Sequence, residues 1–439
     1  MINSADYLII GNSAAAINAA EAIRKTDRTA SLLLLTEEKY VSYSKPLISY
    51  YLAGKLPLEK IFYRSPEFYK KNGISLHTDT KIIGMDTQKK ELYSSGGRKY
   101  RYKKLLIASG GKPLVPPIKV CGGSTLDEEI SRLEGIYTLA NLEDAIKIKE
   151  YIIKNEIKEA TILGAGLIGL KAAEACSGLG LKIRIIDLSD RILSANFDQK
   201  ASELMEERIR EKGCLVNTSS TINKIIIQKN TLQKIVIDDR ETGCRLLIVA
   251  VGIKPDLSFV DRGIVYCKDG IKVSQTMETT AKDVFASGDI VNAKDMLTGR
   301  DANIAIWPLA VNQGKVAGSN MAGKKEVYEG GFLMNSIEIM GLASISMGLS
   351  MCSPGYDIKT LTKEGPERYS YRKIVLRDDR VIGVIMLANI ERAGIYAGLI
   401  KNQIDIRGIE EHIIKEDFGL IQLPADYKKH LVTGEGIEV

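Results

Sequence analysis

The sequence predicts an α/β chain made of two similar βαβ-based halves, the second inserted into the first, followed by a smaller α+β domain. Two observations carry this. An apolar strand runs into a glycine-containing turn and then a helix twice, once from Tyr7 and once from Ala160. Beyond the second unit, the chain returns to short apolar strands that end in glycine, first at Gly252 and then at Gly288. A chain of 439 residues has room for two or three domains.

In chain order, Tyr7-Leu8-Ile9-Ile10 leads into Gly11-Asn12-Ser13-Ala14-Ala15-Ala16 and a helix. The strand Ser31–Leu35 leads to Glu37 and Glu38. A loop over Tyr40 to Pro46 and a short helical stretch through Leu52 follow. The run Lys99 to Lys104 reads as a solvated strand edge. Lys104 to Pro113 reads as a buried strand entering a glycine turn through Ala108, Ser109 and Gly110, and Pro113, Pro116 and Pro117 read as a linker.

The second turn is the stronger. Ala160-Thr161-Ile162-Leu163 is followed by Gly164-Ala165-Gly166-Leu167-Ile168-Gly169 and a helical run to Leu179, a complete G-x-G-x-x-G between strand and helix. The free N–H groups and positive dipole end of such a helix attract the charged diphosphate of a dinucleotide. The first glycine allows the tight turn, the second lets the diphosphate approach, and the third lets helix and strand pack. The strand Lys182–Ile186 ends at Asp187, 23 residues past Gly164. A carboxylate there accepts from a ribose 2′-OH and repels a 2′-phosphate, so NAD(H) is expected over NADP(H). Arg191 keeps the second cofactor open. In the first turn Ser13 stands in the second glycine place and Ala16 in the third, a weaker match that still reads as a nucleotide site.

After Asp187 the strand Leu246 to Val251 ends at Gly252 and is followed by Pro255, the point where the chain re-enters the first half. Val284-Phe285-Ala286 then leads to Ser287-Gly288-Asp289. Trp307-Pro308 precedes a helix from Leu309 to Met321, whose small residues Ala310, Gly314, Ala317 and Gly318 favour close packing. The stretch from about 330 alternates strands and turns and ends in helices.

The net charge of +6 is spread along the chain without aromatic interleaving, which argues against a nucleic-acid partner. No stretch has the length of a membrane span, and no leader pattern precedes the first strand. Six cysteines, at 121, 176, 214, 244, 267 and 352, form no close pair, so neither a metal site nor a redox disulfide is suggested. Scattered thiols fit a cytoplasmic location. His77, His412 and His430 lie in uninformative contexts.

Taken together, the two glycine turns, the strand end at Ala108-Ser109-Gly110, the Gly252-x-x-Pro255 return and Ala286-Ser287-Gly288-Asp289 resemble the pyridine nucleotide-disulfide oxidoreductase superfamily of two-dinucleotide flavoproteins. The resemblance covers nearly the whole chain. It implies an α/β fold of two Rossmann-like domains, the NAD domain inserted in the FAD domain, plus a C-terminal α+β interface domain. The expected parts are an FAD-binding domain of residues 1–117 and 250–327, an NAD(H)-binding domain of 118–249, and an interface or dimerisation domain of 328–439. It implies that Gly11, Ser13, Ala14, Ala15 and Ala16 cradle the FAD diphosphate, that Glu37 or Glu38 binds its ribose, and that Asp289 holds a ribityl hydroxyl with Gly288 letting the backbone pass close. The helix after Pro308 is expected to aim its N-terminus at the flavin, with Trp307 packing beside it.

Tyr43-Ser44-Lys45-Pro46-Leu47 is similar to the Tyr-x-Arg/Lys-Pro segment of the rubredoxin reductase, ferredoxin reductase and nitrite reductase flavoprotein branch, in which a basic residue touches FAD and no thiol relays electrons. Lys45 is the expected contact and the residue assigned to the catalytic step, flanked by Ser44 and Pro46. Many relatives carry glutamate seven residues after the first glycine of the NAD turn, near the nicotinamide. Lys171 stands there, and Glu174 one turn on reads as a structural residue. The implied function is electron transfer between NAD(H) and an iron–sulfur or rubredoxin-type electron-transfer protein, or an iron–sulfur subunit of a larger complex, by a homodimer or a member of a hetero-oligomer. The alternatives are an NADH oxidase passing electrons to O₂, a thiol-disulfide reductase, or a non-catalytic NADH-binding subunit.

Overall fold

The computed structural model describes residues 2–423, apart from 262, 265, 268–269 and 353–356. The Cys267 side chain and His430, both named above, lie outside those described. The chain forms two compact units. The first takes the residues up to Pro116, then Tyr137–Glu156 and Val251–Phe332. The second takes Pro117–Ile136, Ile157–Ala250 and the described residues from Leu333 on.

In the first unit, Leu- and Ile-rich strands bury both faces, as parallel strands covered by helices must. Strands Ile74–His77, Leu32–Leu35, Ile2–Ile10 and Lys99–Ile107 lie side by side in that order, all parallel. Lys99–Ile107 is long enough to hold two further neighbours. Its first half pairs antiparallel with Glu91–Ser94, and its second half pairs parallel with Val284–Ala286. The expected solvated edge at Lys99 to Lys104 is therefore corrected: the strand is internal. Lys99, Arg101 and Lys103 point to solvent while Tyr100 and Tyr102 are buried between them, which is the period-2 alternation of a strand with one wet face.

Helix Ala14–Thr26 buries a face of alanines and isoleucines and packs on helix Trp307–Met321. The approach is close enough to demand glycine. A Cβ on Gly314 would stand 2.2 Å from the Ala15 carbonyl oxygen, and one on Gly318 would stand 2.3 Å from that of Ala19. The result is that Gly11, Glu37, Ala108 and Gly288, each at or just past the C-terminal end of a parallel strand, share one edge of the sheet. That is where open α/β sheets bind ligands.

The linker residues take part in structure. Gly111–Pro113 pairs antiparallel with Ile253–Pro255, so the outgoing and returning crossings are bonded to each other. Helix Leu142–Lys154 lies within the stretch expected to form the NAD domain, yet it groups with the first unit, where it packs against helix Ile48–Leu52.

The second unit has its own parallel strands, Leu215–Asn217, Lys182–Ile186, Glu159–Leu163 and Leu247–Val249 in that order. Helix Leu167–Gly178 follows the glycine turn. The C-terminal stretch adds a five-stranded antiparallel sheet, in the order Met334–Ile339, Leu342–Gly348, Arg380–Leu387, Tyr371–Arg377, Ile358–Glu364, and then helix Ala393–Asn402. No helix among the described residues is long and apolar enough to cross a membrane.

Candidate functional site: two glycine turns and a sulfur-free cavity

At the first turn, Gly11 has φ +123°, and a Cβ there would stand 2.2 Å from the Ala108 carbonyl oxygen. Only glycine fits. Ser13 occupies the N-cap position of helix Ala14–Thr26 but makes no capping hydrogen bond, although serine is among the residues that most often cap. Its hydroxyl and the first-turn N–H groups are thus not tied to each other. Ala14, Ala15 and Ala16 are buried just behind it.

This turn forms one wall of a cavity that opens to solvent. Of the residues expected at the site, Gly11, Ser13, Glu37, Glu38, Lys45, Ala108 and Ser109 line it. Ser44 and Pro46 flank Lys45 in sequence, and Gly110, at φ +73°, follows Ser109. Among the described residues that line it there is no cysteine.

The charges of the lining are unevenly committed. Lys81 pairs with Glu37 at 3.4 Å, and Lys112 pairs with Asp256 at 3.0 Å. Glu38 accepts from the Tyr43 hydroxyl at 2.5 Å. Lys45 makes no ion pair among the described residues. The hydroxyl of Ser109 is buried with no hydrogen-bond partner, a cost that ordinary folding avoids.

Asp289 does not line the cavity. Protein packed around its carboxyl raises its pKa above the ordinary range, and the Lys45 ammonium acts against that rise. Gly288 has φ +82°, and a Cβ there would lie 3.1 Å from the Ala15 Cβ. Its positive φ favours glycine and the helix contact is tight, reasons beyond the expected passage of a ligand. Trp307 packs edge-on against Tyr63 with ring centroids 5.4 Å apart, and Pro308 sits in the first turn of its helix. Gly252, at φ +133°, starts the return crossing.

Some residues of the site carry no sequence signal. Asn12 fills a variable place in the turn, but its side-chain oxygen accepts from the Tyr69 hydroxyl at 2.7 Å, and that hydroxyl also accepts from Ser42 N–H. Tyr69 lies 57 residues away. Thr80, Lys81, Ile82, Lys112, Asp256 and Phe259 reach the lining from separate loops.

At the second turn, Gly164 has φ +110°, and a Cβ on Gly169 would stand 1.9 Å from the Gly164 carbonyl oxygen. A Cβ on Gly166 would meet nothing within 4 Å. The third glycine is thus demanded by packing, while the second faces open space. Leu167 and Ile168 begin the helix. Asp187 is aimed back at the turn: its carboxylate accepts from Ala165 N–H at 2.5 Å and from Ser189 N–H at 2.7 Å. Arg191 is held by Asp190 and by the Ser194 carbonyl.

Lys171 does not offer a bare cation. It pairs with Glu174 and donates to the Glu338 carbonyl at 3.1 Å, while Glu174 accepts from Met340 N–H at 3.3 Å. Both side chains fasten the helix to the C-terminal sheet, as the structural reading of Glu174 expected. Burial pushes the thiols of Cys176, Cys214 and Cys244 up to about 12, 11 and 11, so they stay protonated and unreactive.

Residues 5–314 match the model of the pyridine nucleotide-disulphide oxidoreductase family, and residues 334–404 match that of the rubredoxin NAD⁺ reductase C-terminal domain. The chain belongs to the pyridine nucleotide-disulphide oxidoreductase family. It is 29% identical over 94% of its length to the NADH-dependent phenylglyoxylate dehydrogenase subunit epsilon of Aromatoleum evansii, covering 95% of that protein. It is 30% identical over 83% of its length to the CoA-dependent NAD(P)H sulfur oxidoreductase of Pyrococcus abyssi, covering 80% of that protein. Among solved structures, the NAD-dependent persulfide reductase from A. fulgidus superposes with a TM-score of 0.81 at 26% identity, over 92% of this chain and 78% of that one.

Members of this family bind FAD and NAD(H), and this chain is an FAD-dependent NAD(P)H oxidoreductase. The residues present fit both groups. The first cavity offers the glycine cradle, an orphaned Ser109 hydroxyl and Lys45, which makes no ion pair among the described residues. The second turn offers the open side of Gly166.

Proposed function

We propose that this chain moves electrons between NAD(H) and a protein electron carrier by way of FAD, without a redox-active disulfide. The carrier is an iron–sulfur or rubredoxin-type protein, or an iron–sulfur subunit of a larger oxidoreductase. The observation that carries this reading is the cavity beside the first glycine turn, whose described lining includes Lys45, with no ion pair among the described residues, and no cysteine.

In this reading Gly11, Ser13 and the first-turn N–H groups of Ala14, Ala15 and Ala16 hold the FAD diphosphate. Glu37 takes the adenosine ribose, because Glu38 is already committed to Tyr43 while Glu37 has only an exposed lysine partner. Ala108, Ser109 and Gly110 line the path of the cofactor, and Asp289 holds a ribityl hydroxyl. The N-terminus of helix Trp307–Met321 lends its dipole to the flavin. Gly164, Gly166, Leu167, Ile168 and Gly169 hold the NAD diphosphate, and Asp187 binds its ribose. FAD held by these residues would supply chemistry that couples two-electron exchange with a nicotinamide to one-electron exchange with a carrier. No side-chain acid or base is required; the protein aligns and tunes.

The near full-length likeness to a dehydrogenase subunit favours one form of this reading, in which the chain works within a hetero-oligomer. The other form is a homodimer meeting a diffusible carrier in the cytoplasm. Purification from native extract, followed by anaerobic assay with rubredoxin, ferredoxin and O₂ as acceptors, tests the proposal. Turnover with an iron–sulfur or rubredoxin acceptor well above that with O₂ is expected. Turnover only with O₂ would identify an oxidase, and tight NADH binding without turnover would identify a non-catalytic subunit.

A further inference from the structure

We propose that Tyr43 is a positioning residue that fixes Lys45 in the flavin cavity, through a hydroxyl shared between Glu38 and the start of helix Leu142–Lys154. The inference rests on the assignment of Lys45 to the flavin made above.

Tyr43 is 5% exposed, and its hydroxyl spends both of its capacities. It donates to Glu38 Oε2 at 2.5 Å and accepts from Leu142 N–H at 3.0 Å. A phenol has one proton to give, so the direction of both bonds is set by the carboxylate, which can only accept. Burial and the adjacent Glu38 charge raise the Tyr43 pKa far above the ordinary range, so it remains a donor at every working pH. A hydrogen bond to a charged acceptor of this kind is stronger than a neutral one.

The backbone around Tyr43 is held as firmly. Ser44 N–H donates to the Ile61 carbonyl at 2.8 Å, and Tyr63 N–H donates to the Ser42 carbonyl at 2.8 Å. Residues 42–44 are therefore fixed by their main chain on one side and by the Tyr43 hydroxyl on the other. Lys45 opens the short helical turn that follows, next in sequence to this clamp, and lines the cavity together with Tyr43 and Glu38. Lys45 makes no ion pair among the described residues, and the buried Asp289 carboxyl feels its ammonium. The reach of that ammonium therefore starts from a backbone that the clamp holds. Leu142 belongs to an N-terminal helix turn whose cap, Asn141, holds Asp144 N–H, so Tyr43 takes an N–H that the cap leaves over.

Anaerobic reductive titration of the purified holoenzyme against a reference dye gives the flavin potential of four proteins: parent, Lys45→Met, Tyr43→Phe and the double variant. Loss of a cation beside the flavin should lower the potential in Lys45→Met. Tyr43→Phe should shift it in the same direction, and the double variant should equal Lys45→Met alone, because the tyrosine acts through the lysine. Release of FAD on dilution, followed by flavin fluorescence, should show Tyr43→Phe binding about tenfold more weakly, an effect of the size expected for one lost charged hydrogen bond. Where Tyr43→Phe does not retain flavin, Glu38→Gln weakens the same hydrogen bond; because loss of its negative charge by itself raises the potential, the readout is the shift that Lys45→Met causes in that background, which should be smaller than in the parent. If Lys45→Met shifts the potential and Tyr43→Phe does not, or the two shifts add, Tyr43 is only a packing residue and the inference is overturned. If Lys45→Met leaves the potential unchanged, the flavin assignment of Lys45 is what fails.

Discussion

Gly288 is constrained by the fold and is assigned to the site by the proposal. Its φ of +82° strains any side chain, and a Cβ there would crowd the Ala15 Cβ at 3.1 Å. Gly288→Val should push helix Ala14–Thr26 away from the diphosphate position, and the protein should purify without yellow colour. A variant that keeps stoichiometric FAD by absorbance would contradict this. At the other turn, Asp187 already accepts two backbone N–H groups and faces the turn. Asp187→Ala should raise the Michaelis constant for NADH and narrow its advantage over NADPH; steady-state constants that stay put for both would remove it from the ribose site. The glycine spacing and the acidic residues were legible because each answers a local requirement: a positive φ, a close contact, a charge to be met. The partners of Lys171 were not legible for the opposite reason. Its partners Glu174 and the Glu338 carbonyl come from another turn and from a distant strand. Removing it as Lys171→Ala should cost about 2 kcal/mol by chemical denaturation, since the nearly buried Glu174 would lose its cation.

At the scale of elements, the contact between helices Ala14–Thr26 and Trp307–Met321 decides where the first glycine turn sits. The small residues of the later helix announced a close approach, and the structure supplies Ala15 and Ala19 as the surfaces approached. Sequence periodicity marks a face but not its partner. Gly318→Val should cost about 3 kcal/mol or more, because its new side chain would meet the backbone of Ala19 rather than a movable side-chain end. A denaturation midpoint equal to the parent's would contradict the packing. Helix Leu142–Lys154 makes the same point. Its amphipathic pattern is plain, but nothing in it tells which unit it joins. The hydroxyl of Tyr43 on its first turn, the Tyr40 hydroxyl on Glu143 at 2.7 Å and the Lys149 ammonium over the Tyr51 ring are all distant in sequence.

For the whole molecule, the order of motifs along the chain was more informative than any single motif, since the strand–glycine–helix unit, its repetition and the return strands constrain one another. That order led to the family, and the family match over residues 5–314 bears it out. The electron acceptor was not legible, because a docking surface follows no period and needs no fixed spacing. The thiols give the sharpest test of the account. Those of Cys176, Cys214 and Cys244 are buried and held protonated, and among the described residues no cysteine lines the cavity beside the first glycine turn. Anaerobic stopped-flow on holoenzyme alkylated with iodoacetamide follows flavin absorbance as NADH, and then an oxidised iron–sulfur or rubredoxin carrier, is added. The account predicts bleaching by NADH and recovery with the carrier at the rates of untreated enzyme. Loss of either half-reaction after alkylation would mean that a sulfur atom carries the electrons, and would contradict it.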